Sequence, residues 1–251
     1  MTGFSYQLYS SRNVPALSDT LTMLARLGYT AVEGYGGLFA DRSAVDNLVA
    51  SLGDSGLKMP TAHMDIDMVE NQSDRVLKIA RSVGIETVFV PFLLPEERPS
   101  STVGWREFGK RLDAAGAPLR AAGLGFGWHN HDFEFCPVST GEIPMDLILE
   151  AAPTLAWEAD IAWIVRGGSD PLEWIEKHGN RIAAVHVKDI AAEGQNTDED
   201  GWADVGDGTM DWPAIMKALR GKSVTHFIME HDNPSDDKRF AERSLSAAKS
   251  F

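Results

Sequence analysis

Four stretches share one design: RLGYTAVE (residues 26–33), DSGLKMPTAH (54–63), SVGIETVFVP (82–91) and AAGLGFGWHN (121–130). Each begins at the end of a helical stretch, passes a glycine, and continues as a short run of β-branched, apolar or aromatic residues. Gly28, Gly56, Gly84 and Gly123 stand where a helix stops in a left-handed conformation, which glycine adopts without steric cost. The first three lie 28 residues apart. That interval fits one strand, one helix and two short loops, and the sequences between do not repeat, so the spacing reflects a shared architecture and not a repeat array.

Outward from these four units, the same rhythm predicts strands over residues 4–9, 30–34, 58–63, 87–91, 124–130, 155–160, 182–187 and 225–230. Helices are predicted near 15–27, 43–54, 71–83, 101–121, 143–151, 170–178, 211–219 and 236–248. Eight of each is the count of an α/β (β/α)8 TIM barrel, here a single domain over residues 1–251. An open doubly wound sheet would alternate in the same way, but the GxGxxG phosphate fingerprint after its first strand is missing. The longest irregular stretch, AAEGQNTDEDGWADVGDGT (191–209), reads as a polar loop, functional or partly mobile at that length. Its segment DVGDGTMDW lacks the alternating ligands and terminal glutamate of an EF-hand and reads as a glycine-rich turn.

The bulk properties narrow the partners. Lys and Arg number 23 against 37 Asp and Glu, a net charge of −14. Such a field repels phosphate backbones and anionic membranes, so no nucleic-acid or membrane partner is expected. The opening MTGFSYQLYSSRNVP has no basic region followed by an apolar one, and no run approaches the roughly 18–20 apolar residues of a membrane span, so the expected location is cytoplasmic. The lone cysteine, Cys136, has no thiol partner and reads as a passive side chain.

In a (β/α)8 barrel the reactive groups project from the C-terminal ends of the strands. Those ends carry Gln7, Glu33, His63, His129, Asn130, His131, Asp160, His186, Lys188, Asp189, Glu230, His231 and Asp232, so that five of the seven histidines fall where chemistry would sit. Asp160, His186 and Glu230 close strands six, seven and eight, which are neighbours, and can converge on one divalent cation. One nitrogen and two oxygens suit Mn, Mg, Co or Zn, with the carboxylates favouring a hard ion. Taken singly, Asp160 would also serve as a helix N-cap and His186 as a hydrogen-bonded core histidine. A cation so held polarises a hydroxy-carbonyl compound and acidifies its neighbouring C–H. The base would be Glu230 or Glu134. His131 shares the inward parity of His129 and can donate to a substrate oxygen, while Asn130 points aside. Lys188 shares the parity of His186 and could hold a substrate oxygen or pair with an acid. Glu33 and His63 lie across the mouth from the cation, where substrate hydroxyls are their expected partners, joined by Gln7. Trp163 and Trp202 could form a stacking wall for a sugar ring.

Taken in order, GFGWHNHDFEF (125–135), AWEADIAWIVRGGSDP (156–171), AAVHVKDI (183–190), VGDGTMDW (205–212) and FIMEHDNP (227–234) resemble the xylose isomerase-like TIM barrel superfamily of sugar phosphate isomerases and epimerases. The openings FSYQLYS and LGYTAVEGYG fit as well, so the resemblance spans nearly the whole chain. It implies a Mn-type site built from a Glu after strand five, an Asp after strand six, a His after strand seven and a Glu after strand eight. The last three fall on Asp160, His186 and Glu230. At the first position this chain has His129, with Glu134 the nearest acid, and either would complete the site. The change matters because the family's strand-five and strand-eight glutamates are its acid–base pair.

The leading expectation is a metal-dependent isomerase or epimerase of a free or simply modified sugar, passing through an enediolate. A lyase or dehydratase acting on a keto-sugar or cyclitol is the alternative on the same site, needing only one base and a histidine acid. A non-catalytic sugar-binding barrel is the alternative of another class. An endonuclease-like role is opposed by the charge. By analogy alone, a homo-oligomer is expected.

Overall fold

The computed structural model describes residues 3–251, so the first two residues of the expected 1–251 domain lie outside it. Eight parallel strands close into a barrel: β1 (Ser5–Gln7), β2 (Ala31–Gly34), β3 (Lys58–His63), β4 (Thr87–Val90), β5 (Gly125–His129), β6 (Ala156–Asp160), β7 (Ile182–Val187) and β10 (His226–Met229). β10 pairs with β1 and completes the ring. Between β7 and β10, β8 (Asp189–Ile190) and β9 (Trp202–Ala203) form an antiparallel ribbon outside it.

The helices are α1 (Leu17–Leu27), α2 (Arg42–Ser55), α3 (Ile66–Asn71), α4 (Ser73–Val83), α5 (Thr102–Ala121), α6 (Pro144–Ala151), α7 (Ile161–Arg166), α8 (Pro171–His178), α9 (Trp212–Leu219) and α10 (Asp237–Ala248). Each buries one stripe against the barrel, as with Val76, Ile79 and Ala80 in α4, at the i, i+3, i+4 spacing that puts side chains on one face. Side chains of Asp41, Ser101, Asp170, Asp211 and Asp236 accept N–H bonds at helix starts. Gly28, Gly56, Gly84 and Gly123 all have positive φ, as their sequence context predicts.

Four local features depart from the sequence reading, the first being α3, a helix ahead of the one expected near 71–83. Strand one is shorter than 4–9, because the chain turns into a 3-10 helix at Leu8–Ser11, where the Gln7 side chain accepts from the Tyr9 N–H at 3.0 Å. A short α7 follows β6 directly, capped by Asp160. The 191–209 stretch is an ordered structure and not a plain polar loop: the ribbon buries Trp202, and Arg239 of α10 binds Glu199 and Asp204 within the stretch, each at 2.9 Å. Among the described residues no helix is long and apolar enough to cross a membrane.

The main core lies between barrel and helices. A smaller apolar cluster of Phe89, Ala184 and Ile228 fills the barrel interior. Two residues further along β7 and β10, at His186 and Glu230, the interior turns polar, and this change positions the site.

Candidate active site

The polar layer is built by strand parity. Gln7, Glu33, His63, His129, Glu158 and His186 are buried inside the barrel, with Asp160, Lys188 and Glu230 following at the mouth. Two groups of donor atoms converge so that all members of each lie within 4.8 Å of one another: His129, Asp160, His186 and Glu230 near the mouth, and His63, His129, Glu158 and His186 beneath them.

His186 links the two groups. Its Nδ1 lies 2.7 Å from Glu230 Oε2 and its Nε2 lies 2.7 Å from Glu33 Oε1. Burial opposes charging of His186, yet Glu230, Glu158 and Glu33 outweigh it and hold its pKa well above the ordinary value. Burial likewise opposes the charged form of Glu230, but Lys188 and His186 hold its carboxyl well below the usual range. His129 Nδ1 contacts Glu158 at 3.1 Å, and burial together with the nearby His186 lowers its pKa to about 3. It is a neutral imidazole, the form that ligates metals.

Asp160 divides its two oxygens. Oδ1 accepts from the Trp163 N–H at 2.9 Å, capping α7, while Oδ2 is buried without a hydrogen-bond partner. Burial raises its pKa to about 7, against the pull of Lys188. Asn130 does turn aside, and the direction has a use. Its Oδ1 accepts from Trp157 Nε1 at 2.8 Å and from the Asp160 N–H at 3.0 Å, and its Nδ2 donates to the Asp160 carbonyl at 3.1 Å. The amide thereby fixes the backbone from which Asp160 projects.

A cavity of about 620 Å³ opens above the cluster. His63, His129, His131, Trp163 and Glu230 line it, with Tyr9, Tyr35 and Phe92 toward the rim. His131 packs 5.2 Å from Trp163 and 5.0 Å from Phe92, its Nδ1 has no partner, and burial keeps its pKa well below the ordinary value. Lys188 is fully buried behind the wall. Its Nζ sits 2.5 Å from Asp232 and 3.4 Å from Glu230, and 4.2 Å from the centre of the Trp202 ring. Asp232, Glu230 and Asp160 overcome the burial penalty, and the ammonium is held charged.

Several residues stand elsewhere than the sequence reading placed them. Glu33 and His63 are not across the mouth from the cluster, because the closed barrel is narrow at this level: His63 Nε2 lies 2.5 Å from Glu158 and 3.3 Å from Glu33. His63 still reaches the cavity, whereas Glu33 is sealed beneath it. Gln7, also sealed, donates to Glu33 at 2.8 Å and so meets a carboxylate and not a substrate. Trp202 is buried behind Trp163 in edge contact at 4.8 Å, so only Trp163 faces the cavity. Glu134 belongs to neither donor group: Oε1 accepts from Trp128 Nε1 at 2.8 Å and Oε2 from the His131 N–H at 3.0 Å. Both its oxygens hold the β5 turn. The sequence reading missed Glu158, although its parity in AWEAD, two residues before Asp160, marked it as inward.

The donor set fits a divalent cation. Asp160 Oδ2, Glu158 Oε1 and Glu33 Oε2 are buried oxygens without partners. Asp160, Glu230 and Asp232 crowd around Lys188, Glu33 lies against Glu158 beneath them, and an added positive charge would relieve the repulsion among these carboxylates.

Comparison with known proteins places the fold. No curated protein sequence matches significantly. Among solved structures, a sugar phosphate isomerase/epimerase from Parabacteroides distasonis superposes with a TM-score of 0.81 at 21% identity, covering 98% of this chain and 93% of that one. A "probable 3-DHS dehydratase AsbF" from Bacillus anthracis gives 0.75 at 14% identity over 99% of both chains. The IOLI protein, described with a binding zinc atom, gives 0.73 at 16% identity, covering 99% and 96%. At these identities the superpositions speak for the fold alone. The xylose isomerase-like TIM barrel family model matches residues 21–250, and the chain belongs to that family.

Proposed function

We propose that this barrel is a divalent-metal-dependent isomerase or epimerase of a polyhydroxylated carbonyl compound, with His129, Asp160, His186 and Glu230 as the residues that would hold the ion. The observation that carries this reading is the convergence of these four buried donors below the cavity, with Asp160 Oδ2 unpartnered among them. Two nitrogens and two carboxylate oxygens suit Mn, Co or Zn, and Mn remains our choice for two hard oxygen donors. When bound, the ion would polarise a carbonyl and offset the negative charge left by loss of the adjacent proton.

The chain's own groups supply the rest. Glu230 stays ionised, reaches the cavity, and is the carboxylate placed to take a proton from carbon. His131, neutral and with Nδ1 unpaired, can exchange a proton with a substrate oxygen. Trp163 offers a face to the ring, and Lys188 steadies the charge of Glu230 from behind. Glu33 and Glu158 accept from the histidines and orient them, a task that carboxylates perform around metal-bound histidines generally.

One observation favours a lyase or dehydratase as the second reading. With Glu134 tied on both oxygens, the glutamate offered near strand five is not free to pair with Glu230, and the groups facing the cavity from β5 and the turn after it are the imidazoles of His129 and His131. One base and one histidine acid suffice for elimination.

Metal analysis of the purified protein beside an Asp160→Ala/His186→Ala double variant tests the site, followed by deuterium exchange into ketoses with metal restored. About one ion in the wild type alone, with label at a carbon next to the carbonyl, is expected. Equal metal content in both proteins would sink the site. Growth of an enone absorption in place of label would select the lyase.

A further inference from the structure

The mouth cavity does not end at the rim. A second cavity, about 540 Å³, lies beside it over the β2, β3 and β4 loops, and the two share Gly36, Asp65 and Phe92 as lining. A single hexose is smaller than the ligands that clefts of this combined extent accommodate.

The walls say what the extra room suits. Large apolar side chains are exposed at few places, and three of them, Tyr9, Phe92 and Leu94, border this cleft. Phe92 meets Phe133 edge-on at 6.0 Å, with the Arg98 guanidinium 3.7 Å from the Phe133 ring centre. Tyr9 meets Tyr35 at 5.6 Å, with the Arg12 guanidinium 4.0 Å from the Tyr9 ring. Arginines stacked behind the rings hold the plates in place.

The cleft does not suit an anion. Asp65, Asp67, Glu97, Asp200, Glu230 and Asp232 put carboxylates along it. Its two arginines are engaged: Arg12 donates to the carbonyls of Tyr9 and Asp232, and Arg75 to those of Phe39 and Ala40. A phosphate needs free donors and would instead meet negative charge. Asp65 stands at the joint, at the N-cap position of α3, yet its side chain makes no capping bond and accepts no hydrogen bond from any described residue. It is an open acceptor for a hydroxyl.

We infer that the substrate is an uncharged two-ring glycoside: one ring lies over the proposed metal ligands, and the second, carrying a hydroxyl, lies in the side cavity between Phe92 and Leu94 with Asp65 as its acceptor. This rests on reading the mouth cavity as the reaction site. The second ring is a sugar or a hydroxylated aromatic ring, which present the same face and hydroxyl.

Calorimetric titration of the protein, incubated with Mn and then freed of excess ion, with cellobiose, lactose, arbutin, glucose, galactose and glucose 6-phosphate tests it. At least one two-ring probe should bind about tenfold or more tightly than its parent monosaccharide, a difference of about 1.4 kcal/mol, and glucose 6-phosphate no more tightly than glucose. Arbutin against the disaccharides identifies the second ring. Two variants should erase that preference. Asp65→Ala removes the acceptor, and Gly36→Leu narrows the joint, where a Cβ would meet only Asp65 Oδ2 at 3.7 Å. Tightest binding by a monosaccharide or the phosphate, or no binding by any two-ring probe, overturns the inference. Metal content of the same samples separates the two readings: preference for two rings without metal sinks the catalytic reading alone, and metal with single-ring preference sinks this one alone.

Discussion

Low in the barrel, Phe89, Ala184 and Ile228 pack on one another inside the ring of strands, with no polar group to satisfy. Two residues further along those strands, His186 follows Ala184 and Glu230 follows Ile228, and the same cylinder holds buried charge. The lower layer gains stability from dispersion and exclusion of water. The upper layer carries the desolvation of several carboxylates and recovers it only through reciprocal bonds such as Gln7–Glu33–His186–Glu230. The lower layer therefore adds to the stability that the main core supplies, and the upper layer is carried by both. The register between them is tight: a Cβ at Gly127 would lie 2.6 Å from the Phe89 ring and from the Ala156 carbonyl oxygen, so glycine there admits the plug under the histidine that follows at position 129.

The largest expected effect lies in the lower layer. Phe89→Ala should cost about 3–5 kcal/mol of unfolding free energy by denaturant titration, the range for large-to-small changes in a packed core. The folded fraction should still take up metal. A cost below about 1 kcal/mol would show that the plug is dispensable, and the division between the layers would fail.

A smaller effect, on metal and not on stability, should come from Glu33→Gln. If Glu33 orients His186, the variant folds but loses roughly 10–100-fold in metal affinity, as such supporting groups do elsewhere, measured by competition with a chelator. Unchanged metal affinity with weakened sugar binding would return Glu33 to the substrate role that the sequence suggested.

Glu33 also shows how far the sequence was legible. Strand ends could be read because glycine caps, helix period and β-branched runs are local signals, and the closed barrel follows from their count. Parity along a strand is local too, so Asp160, His186 and Glu230 were within reach, and Glu158 should have been. Distance across the barrel is not local. Glu33 and His186 are 153 residues apart and meet at 2.7 Å only because the ring closes at a fixed width. Glu134 failed for the opposite reason: it is near His129 in sequence, but the 3-10 turn at Phe133–Phe135 directs its carboxyl to Trp128 and away from the lumen. The ribbon that buries Trp202 was hidden because two-residue strands leave no periodic pattern.

Glu134 is a buried carboxylate outside the donor groups, and so a control for the carboxylates within them. Burial raises its pKa to about 8, although the Trp128 and His131 N–H groups pull it down. An unfolded glutamate titrates near 4.3. Between those values the unfolded chain has released the proton that the folded chain retains, so the unfolded state binds fewer protons and stability falls as pH rises. Glu134→Gln cannot titrate and should escape this loss. The melting temperature of the wild type should therefore drop relative to the variant between about pH 5 and pH 8, at roughly 2–4 °C per kcal/mol for a chain of this size. Asp160, also raised, titrates in both proteins and largely cancels in the difference. A flat difference would mean that two N–H donors suffice to keep a buried carboxylate ionised here. In that case the histidine-bonded carboxylates of the lumen would have little need of a metal to stay charged, and the contrast between the layers would rest on packing alone.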